Sequence, residues 1–139
     1  MNTRPSRTFH YSVEQDRSSR VSAEGEDELD LGAEWKPEHL VLVGLVRCTL
    51  ESLRFHADRA GIDFVASASA AATVTRRDED GRYAFVEISV DLELELEPEP
   101  DDVAELLAKA ERDCFVGASL TAKPAYRWRV NGAPVGSRA

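Results

Sequence analysis

The stretch EHLVLVGLVRCTLESL, residues 38–53, is almost wholly apolar in its first half, yet it carries a cysteine, Cys48, with Arg47 directly beside it. Pro37 stands just before this run and suits the first position of a helix, where its missing N–H costs nothing. Glu38 follows, and an acid in the first turn favours the positive end of a helix dipole. Together these predict one long helix from Pro37 to about Ala60, ended by Gly61 as the residue after the cap. Leu40, Val41, Leu42, Val43, Leu45 and Val46 cover nearly every face of its first half, and a helix hydrophobic all round is expected to be buried all round. One small domain can hardly cover that surface, so a second copy of the chain is expected against it. The second half turns amphipathic, with Arg54, His56, Asp58 and Arg59 available to water.

Two long strands follow. IDFVASASAAATVTR places Ile62, Phe64, Ala66, Ala68, Ala70, Ala72 and Val74 on one face, and DEDGR is turn chemistry. YAFVEISVDLELELE then puts Ala84, Val86, Ile88, Val90, Leu92, Leu94 and Leu96 on one face and mostly acids on the other. That alternation predicts an antiparallel hairpin with one side on a core and one in water. PEPDDVAELLAKAERDC opens a second helix with Asp101 as its expected N-cap. Its apolar positions Val103, Leu106, Leu107 and Ala110 lead to Cys114 on the inward face at the helix end. AYRWRV is a closing strand, and a loose tail is expected from about residue 131. Upstream, TFHYSV and DELDL alternate as short strands around the polar turn EQDRSSR and the segment VSAEGE. The order of strands, helix, hairpin, helix and strand is α+β.

With 139 residues the chain is expected to form a single domain, residues 1–139, able to bury its own core. Hydrophobic residues make up 42% and charged residues 31%, which suits a globular protein in water. The start MNTRPSRTFH has no apolar signal segment and no run is long enough to span a bilayer, so a cytoplasmic protein is expected, with no membrane partner. A formal net charge of −9, from 26 acidic and 17 basic residues, repels polyphosphate. The basic concentration at Arg4, Arg7, Arg17 and Arg20 is diluted by Glu14 and Asp16, so nucleic acid is not expected as a partner. His10, His39 and His56 do not fall at metal-ligand spacing with the cysteines, and no metal or cofactor is expected. Two cysteines are too few for a disulfide scaffold, and in a reducing compartment a bond between them would be transient or catalytic.

At the level of motifs, KPEHLVLVGLVRCTLESL and LLAKAERDCFV resemble the OsmC/Ohr group, the osmotically inducible protein C and organic hydroperoxide resistance proteins. The resemblance covers nearly the whole chain, including three N-terminal strand segments, and it implies antiparallel sheets around a long buried central helix in an intertwined homodimer. It implies that Cys48 is the reactive cysteine, that Cys114 resolves it through a disulfide, and that Glu38 is the carboxylate of the helix start. The activating arginine of the group lies in the turn after the first strand. Here DRSSRV offers Arg17, preferred because Arg-x-x-Arg before a short strand resembles the hydroperoxide reductase branch, with Arg20 as the alternative. Two residues depart from the group: Phe115 stands where proline usually follows the second cysteine, and Arg47 where a small residue usually precedes the first.

The implied activity is a thiol-dependent peroxidase acting on organic hydroperoxides, with a dithiol reductant of lipoyl type and active sites at the subunit interface. Two other readings remain beside it: action on another thiol-reactive small molecule, and a non-catalytic module holding a lipid-like ligand. The thiol chemistry itself demands a cation. Cys48 lies about three turns into its helix, too far for the dipole to lower its pKa, so an arginine must do so. Glu38 is about 15 Å from Cys48 along one helix, so an arginine held by Glu38 over Cys48 needs a second subunit or a broken helix.

Overall fold

The computed structural model describes residues 6–136; Arg4 and the last three residues lie outside them. The chain divides into two compact units, Met1–Pro37 and Glu38–Ala139. The first is a three-stranded antiparallel sheet of β1 (Val13–Gln15), β2 (Arg20–Ala23) and β3 (Glu26–Asp30), in that order. The alternation expected across TFHYSV becomes strand only at its end, and Phe9, Tyr11 and Val13 are all exposed. The β1–β2 turn is tied by Asp16, whose Oδ1 accepts from the amides of Ser18 at 2.8 Å and Arg20 at 3.0 Å.

The second unit opens with α1 (Pro37–Arg59) and ends in a four-stranded sheet ordered β4 (Asp63–Arg76), β5 (Tyr83–Glu97), β6 (Ala125–Val130) and β7 (Ala133–Pro134). The bounds of α1 match the expectation, and its end is a Schellman motif. Gly61, at φ 71°, donates to Asp58 O at 3.2 Å, and Ile62 donates to Ala57 O at 2.9 Å. Leu45, Leu53 and Ala57 of α1 meet Ile88, Val90, Leu92 and Leu94 of β5, Leu106 and Leu107 of α2 (Val103–Arg112), and Trp128 and Val130 of β6 in one core. Leu53 is fully buried there. Its replacement by alanine is expected to cost about 2–5 kcal/mol, read as a lower urea midpoint at unchanged slope.

Within this single chain α1 is not covered all round: Leu40 and Val43 are 43% and 40% exposed. The buried side is narrower and partly polar, running through Leu45, Thr49, Ser52, Leu53 and Ala57.

The hairpin is antiparallel, as its alternation predicts, from Asp63 opposite Glu97 to Arg76 opposite Tyr83. The turn is clamped by Arg77 N–H on Arg82 O at 2.8 Å and by the Arg77–Asp80 ion pair. One part of the expected face is wrong. Thr73 pairs with Glu87 and Val74 with Phe85, so Val86 is an extra residue in a bulge. Beyond it the faces swap: Phe85 joins the core and Val86 is 42% exposed. A further difference is that β6 runs parallel to β5, so this sheet is mixed rather than wholly antiparallel. The geometry follows from α2 and a short third helix, which form the crossover that a parallel connection requires.

Three smaller corrections have local causes. The N-cap of α2 is Asp102, not Asp101, and its side chain accepts from Glu105 N at 3.0 Å. Cys114 lies just past α2 and caps a short helix α3 (Phe115–Ser119) that the sequence reading did not anticipate. The tail expected to be loose from about 131 is paired to residue 134. Asn131 and Gly132 have φ of 50° and 83°, the positive values a two-residue hairpin turn requires, and they fold β7 back on β6. The Asn131 side chain also accepts from Leu96 N at 2.9 Å. Replacing Gly132 with alanine forces a Cβ into this left-handed conformation, with an expected cost of about 1–2 kcal/mol in a chemical denaturation series.

Candidate active site

Cys48 comes from the middle of α1 and Cys114 from the junction of α2 and α3. Two contacts fix that junction. Trp128 Nε1–H of β6 donates to Glu111 Oε2 at 2.8 Å, and His56 of α1 meets Asp113 with Nε2 to Oδ2 at 2.7 Å. Arg112 also donates to Asp113 at 3.0 and 3.1 Å, and with His56 it holds that carboxyl below the ordinary carboxylate range. The residues just before Cys114 are thus pinned to the sheet and to the end of α1.

This places the two sulfurs close enough for each to affect the other's ionisation, both as free thiols. Cys114 is 0% exposed, whereas Cys48 is only partly buried. Val116 N–H donates to Cys48 Sγ at 3.5 Å, and Gly117 N–H donates to Cys114 Sγ at 3.4 Å. Thr49 Oγ1 lies 2.9 Å from Leu45 O, 3.5 Å from Cys114 Sγ and 3.3 Å from the Tyr126 hydroxyl. The Cys48 thiol is pushed above its ordinary pKa, chiefly by burial and further by Cys114; the amides of Val116 and Phe115 oppose this and do not prevail. Burial also pushes Tyr126 up to about 12, with the Cys114 sulfur adding to the effect.

The other site residues read from the sequence are described each within its own unit. Arg17 is exposed in the β1–β2 turn of the first unit and has no ion pair with a described residue. Arg20, in β2, has Nη1 at 3.6 Å from Glu28 Oε2. Glu38 is exposed in the first turn of α1. Arg47 is exposed although its neighbour in sequence is the thiol, because adjacent helical side chains diverge. Phe115, at the position after the second cysteine, is 64% exposed. Sequence reasoning did not single out Thr49, Tyr126 or Gly117. A hydroxyl at Thr49 inside an apolar helix face and another at Tyr126 on the inward face of β6 were the available signs.

No group of His, Cys, Asp or Glu side chains among the described residues is arranged to hold a metal ion. No helix of the described chain is long and apolar enough to cross a membrane.

A search of curated proteins returns no match to this sequence. Solved structures do resemble it. An OsmC-like protein of unknown function from Vibrio cholerae superposes with a TM-score of 0.72 at 10% identity, over 87% of this chain and 99% of that one. The organic hydroperoxide resistance protein OsmC of Legionella pneumophila gives 0.57 at 22% identity, over 91% and 98%. The organic hydroperoxide resistance protein OhrB of Bacillus subtilis gives 0.55 at 16% identity, over 89% and 98%. At these identities the likeness is one of fold. The family model described as OsmC-like protein matches residues 25–129, a span that includes the long helix and both cysteines. The chain belongs to the OsmC-like protein family.

Proposed function

We propose that the protein is a cysteine-based peroxidase that reduces organic hydroperoxides to alcohols. The observation that carries this reading is the meeting of Cys48 and Cys114, whose sulfurs lie against the successive amides of Val116 and Gly117, in a chain with no other cysteine. The Cys48 thiolate attacks the distal oxygen of the hydroperoxide. The O–O bond breaks, the alkoxide leaves and takes a proton to become the alcohol, and Cys48 is left as a sulfenic acid. Cys114 then attacks that sulfur, water departs, and a Cys48–Cys114 disulfide remains. A dithiol donor, of lipoyl type in this reading, opens it and is itself oxidised to a disulfide.

Burial alone disfavours the thiolate of Cys48, so a cation is required, and Arg17 is assigned that role. In the proposed assembly, residues 1–139 act as one domain within an intertwined homodimer in the cytoplasm. Glu38 of the partner subunit orients Arg17 over Cys48, which meets the distance limit set by a straight helix. Exposed apolar side chains on α1, Leu40 and Val43 among them, supply surface for that interface. Sedimentation at micromolar concentration is expected to give a dimer, and a monomer there removes this part of the proposal.

The direct test is peptide mapping after one equivalent of cumene hydroperoxide. A Cys48–Cys114 disulfide is the expected product; its absence, with the peroxide unconsumed, defeats the peroxidase reading in favour of a binding module for a lipid-like ligand. Bulky peroxides are expected to outcompete hydrogen peroxide. Burying roughly 100 Å² of alkyl surface contributes about 2.5 kcal/mol, or roughly seventyfold in affinity.

A further inference from the structure

We propose that the hydroxyls of Thr49 and Tyr126, with the Gly117 amide, form a donor set that receives negative charge on Cys114 Sγ. Cys114 is then the leaving group when the Cys48–Cys114 disulfide is reduced, and Cys48 is the sulfur that the donor attacks. This rests on the disulfide of the peroxidase reading and assigns the direction of its reduction.

Donors gather at one buried sulfur. Gly117 N lies 3.4 Å from Cys114 Sγ and Thr49 Oγ1 lies 3.5 Å away, and the Tyr126 hydroxyl stands beside them, near enough for the sulfur's charge to act on the phenol. Cys48 Sγ instead accepts from a backbone amide, Val116 N–H at 3.5 Å. The hydroxyls are also linked to each other at 3.3 Å. Thr49 can spend its single proton on Leu45 O at 2.9 Å while Cys114 is neutral, then turn it to the sulfur as charge develops. Tyr126, with its pKa near 12, keeps its proton at any working pH and so remains a donor. Glycine at 117 preserves the arrangement: a Cβ there would lie 3.3 Å from the Tyr126 hydroxyl and 3.5 Å from Cys114 Sγ.

Accessibility points the same way. An attacking thiolate must approach one sulfur from the side opposite the other, and Cys114 is 0% exposed while Cys48 is partly open. The donor thiolate forms a bond to Cys48 Sγ, the Cys48–Cys114 bond breaks, and its electron pair goes to Cys114 Sγ. A lower-energy leaving thiolate makes that exchange faster. The second thiol of the donor then displaces Cys48 as a thiolate, leaving the donor as a disulfide and both protein cysteines reduced.

The test starts from disulfide made with diamide, so that it does not depend on peroxide reduction. Oxidised wild-type protein is mixed with the monothiol N-acetylcysteine, quenched in acid at early times and peptide-mapped. The adduct is expected on Cys48; an adduct on Cys114 overturns the proposal. The rate of this step is expected to fall about tenfold in Tyr126→Phe, the worth of one hydrogen bond to a charged group. It is expected to fall severalfold in Thr49→Val and to be restored in Thr49→Ser, which a purely packing role for Thr49 would not produce. Rates within twofold of wild type in both Tyr126→Phe and Thr49→Val also overturn it, as does failure of diamide to join the two cysteines. If diamide gives the disulfide and the adduct falls on Cys48, but cumene hydroperoxide is never reduced, the peroxidase reading fails and this assignment stands.

Discussion

In Cys48→Ser, reduction of cumene hydroperoxide is expected to fall to the uncatalysed background, a loss on the order of a thousandfold or more. A serine hydroxyl is not ionised near neutral pH and cannot form the sulfenic acid through which the proposed reaction passes. The substitution should leave the fold intact. Cys48 is only partly buried, and the Val116 amide that donates to its sulfur can donate to an oxygen instead. Far-UV circular dichroism is therefore expected to be unchanged while turnover is lost.

Cys114→Ser separates the two steps. Serine at that buried point keeps partners in Gly117 N–H and Thr49, so the site should persist. Without a second thiol the variant is expected to consume one equivalent of hydroperoxide and then stall. Dimedone should trap the sulfenic acid on Cys48 in a labelled peptide. Undiminished turnover in Cys48→Ser, or the dimedone label on a residue other than Cys48, rules out this chemistry.

Arg17→Ala is expected to slow the peroxide reaction by roughly tenfold to a thousandfold at neutral pH. The range comes from the effect of an opposite charge within about 4–6 Å of a titrating group, about 1–3 pKa units. The sign follows from what is left behind. Burial raises the Cys48 pKa, so without the guanidinium the thiolate is scarce at neutral pH and the rate keeps climbing as the solution becomes more alkaline. With the guanidinium in place the rate should level off at lower pH. Alkylation of Cys48 by monobromobimane across a pH series measures this without needing peroxide. Arg20→Ala is the control, since Arg20 already pairs with Glu28 and its loss should cost only that surface contact. Should Arg20→Ala shift the profile and Arg17→Ala leave it alone, the role passes to Arg20. Identical profiles in all three proteins would remove arginine activation altogether.

Elements whose causes are local could be read from the residues. Pro37, Glu38 and Gly61 bound α1 because each acts on backbone groups within a turn of itself. The β4–β5 hairpin follows from alternation and a DEDGR turn for the same reason. The Asn131–Gly132 turn was equally local, and the loose tail was a misreading of a dipeptide that calls for a hairpin. The two cysteines, one within α1 and one at the α2–α3 junction, marked the candidate site.

What no window of sequence could settle are the features that depend on partners distant in the chain. The bulge at Val86 is set by how β5 pairs with β4, so alternation alone put Val86 on the wrong face and Phe85 on the other. The parallel alignment of β6 on β5 depends on the crossover through α2 and α3. The surroundings of the thiols came from tertiary structure too. Thr49 of α1, Gly117 of α3 and Tyr126 of β6 gather around Cys114, at a junction that Glu111–Trp128 and His56–Asp113 hold against sheet and helix. A residue type can announce reactivity. The balance of burial and donors that governs a thiol is decided by the neighbours that packing brings to it.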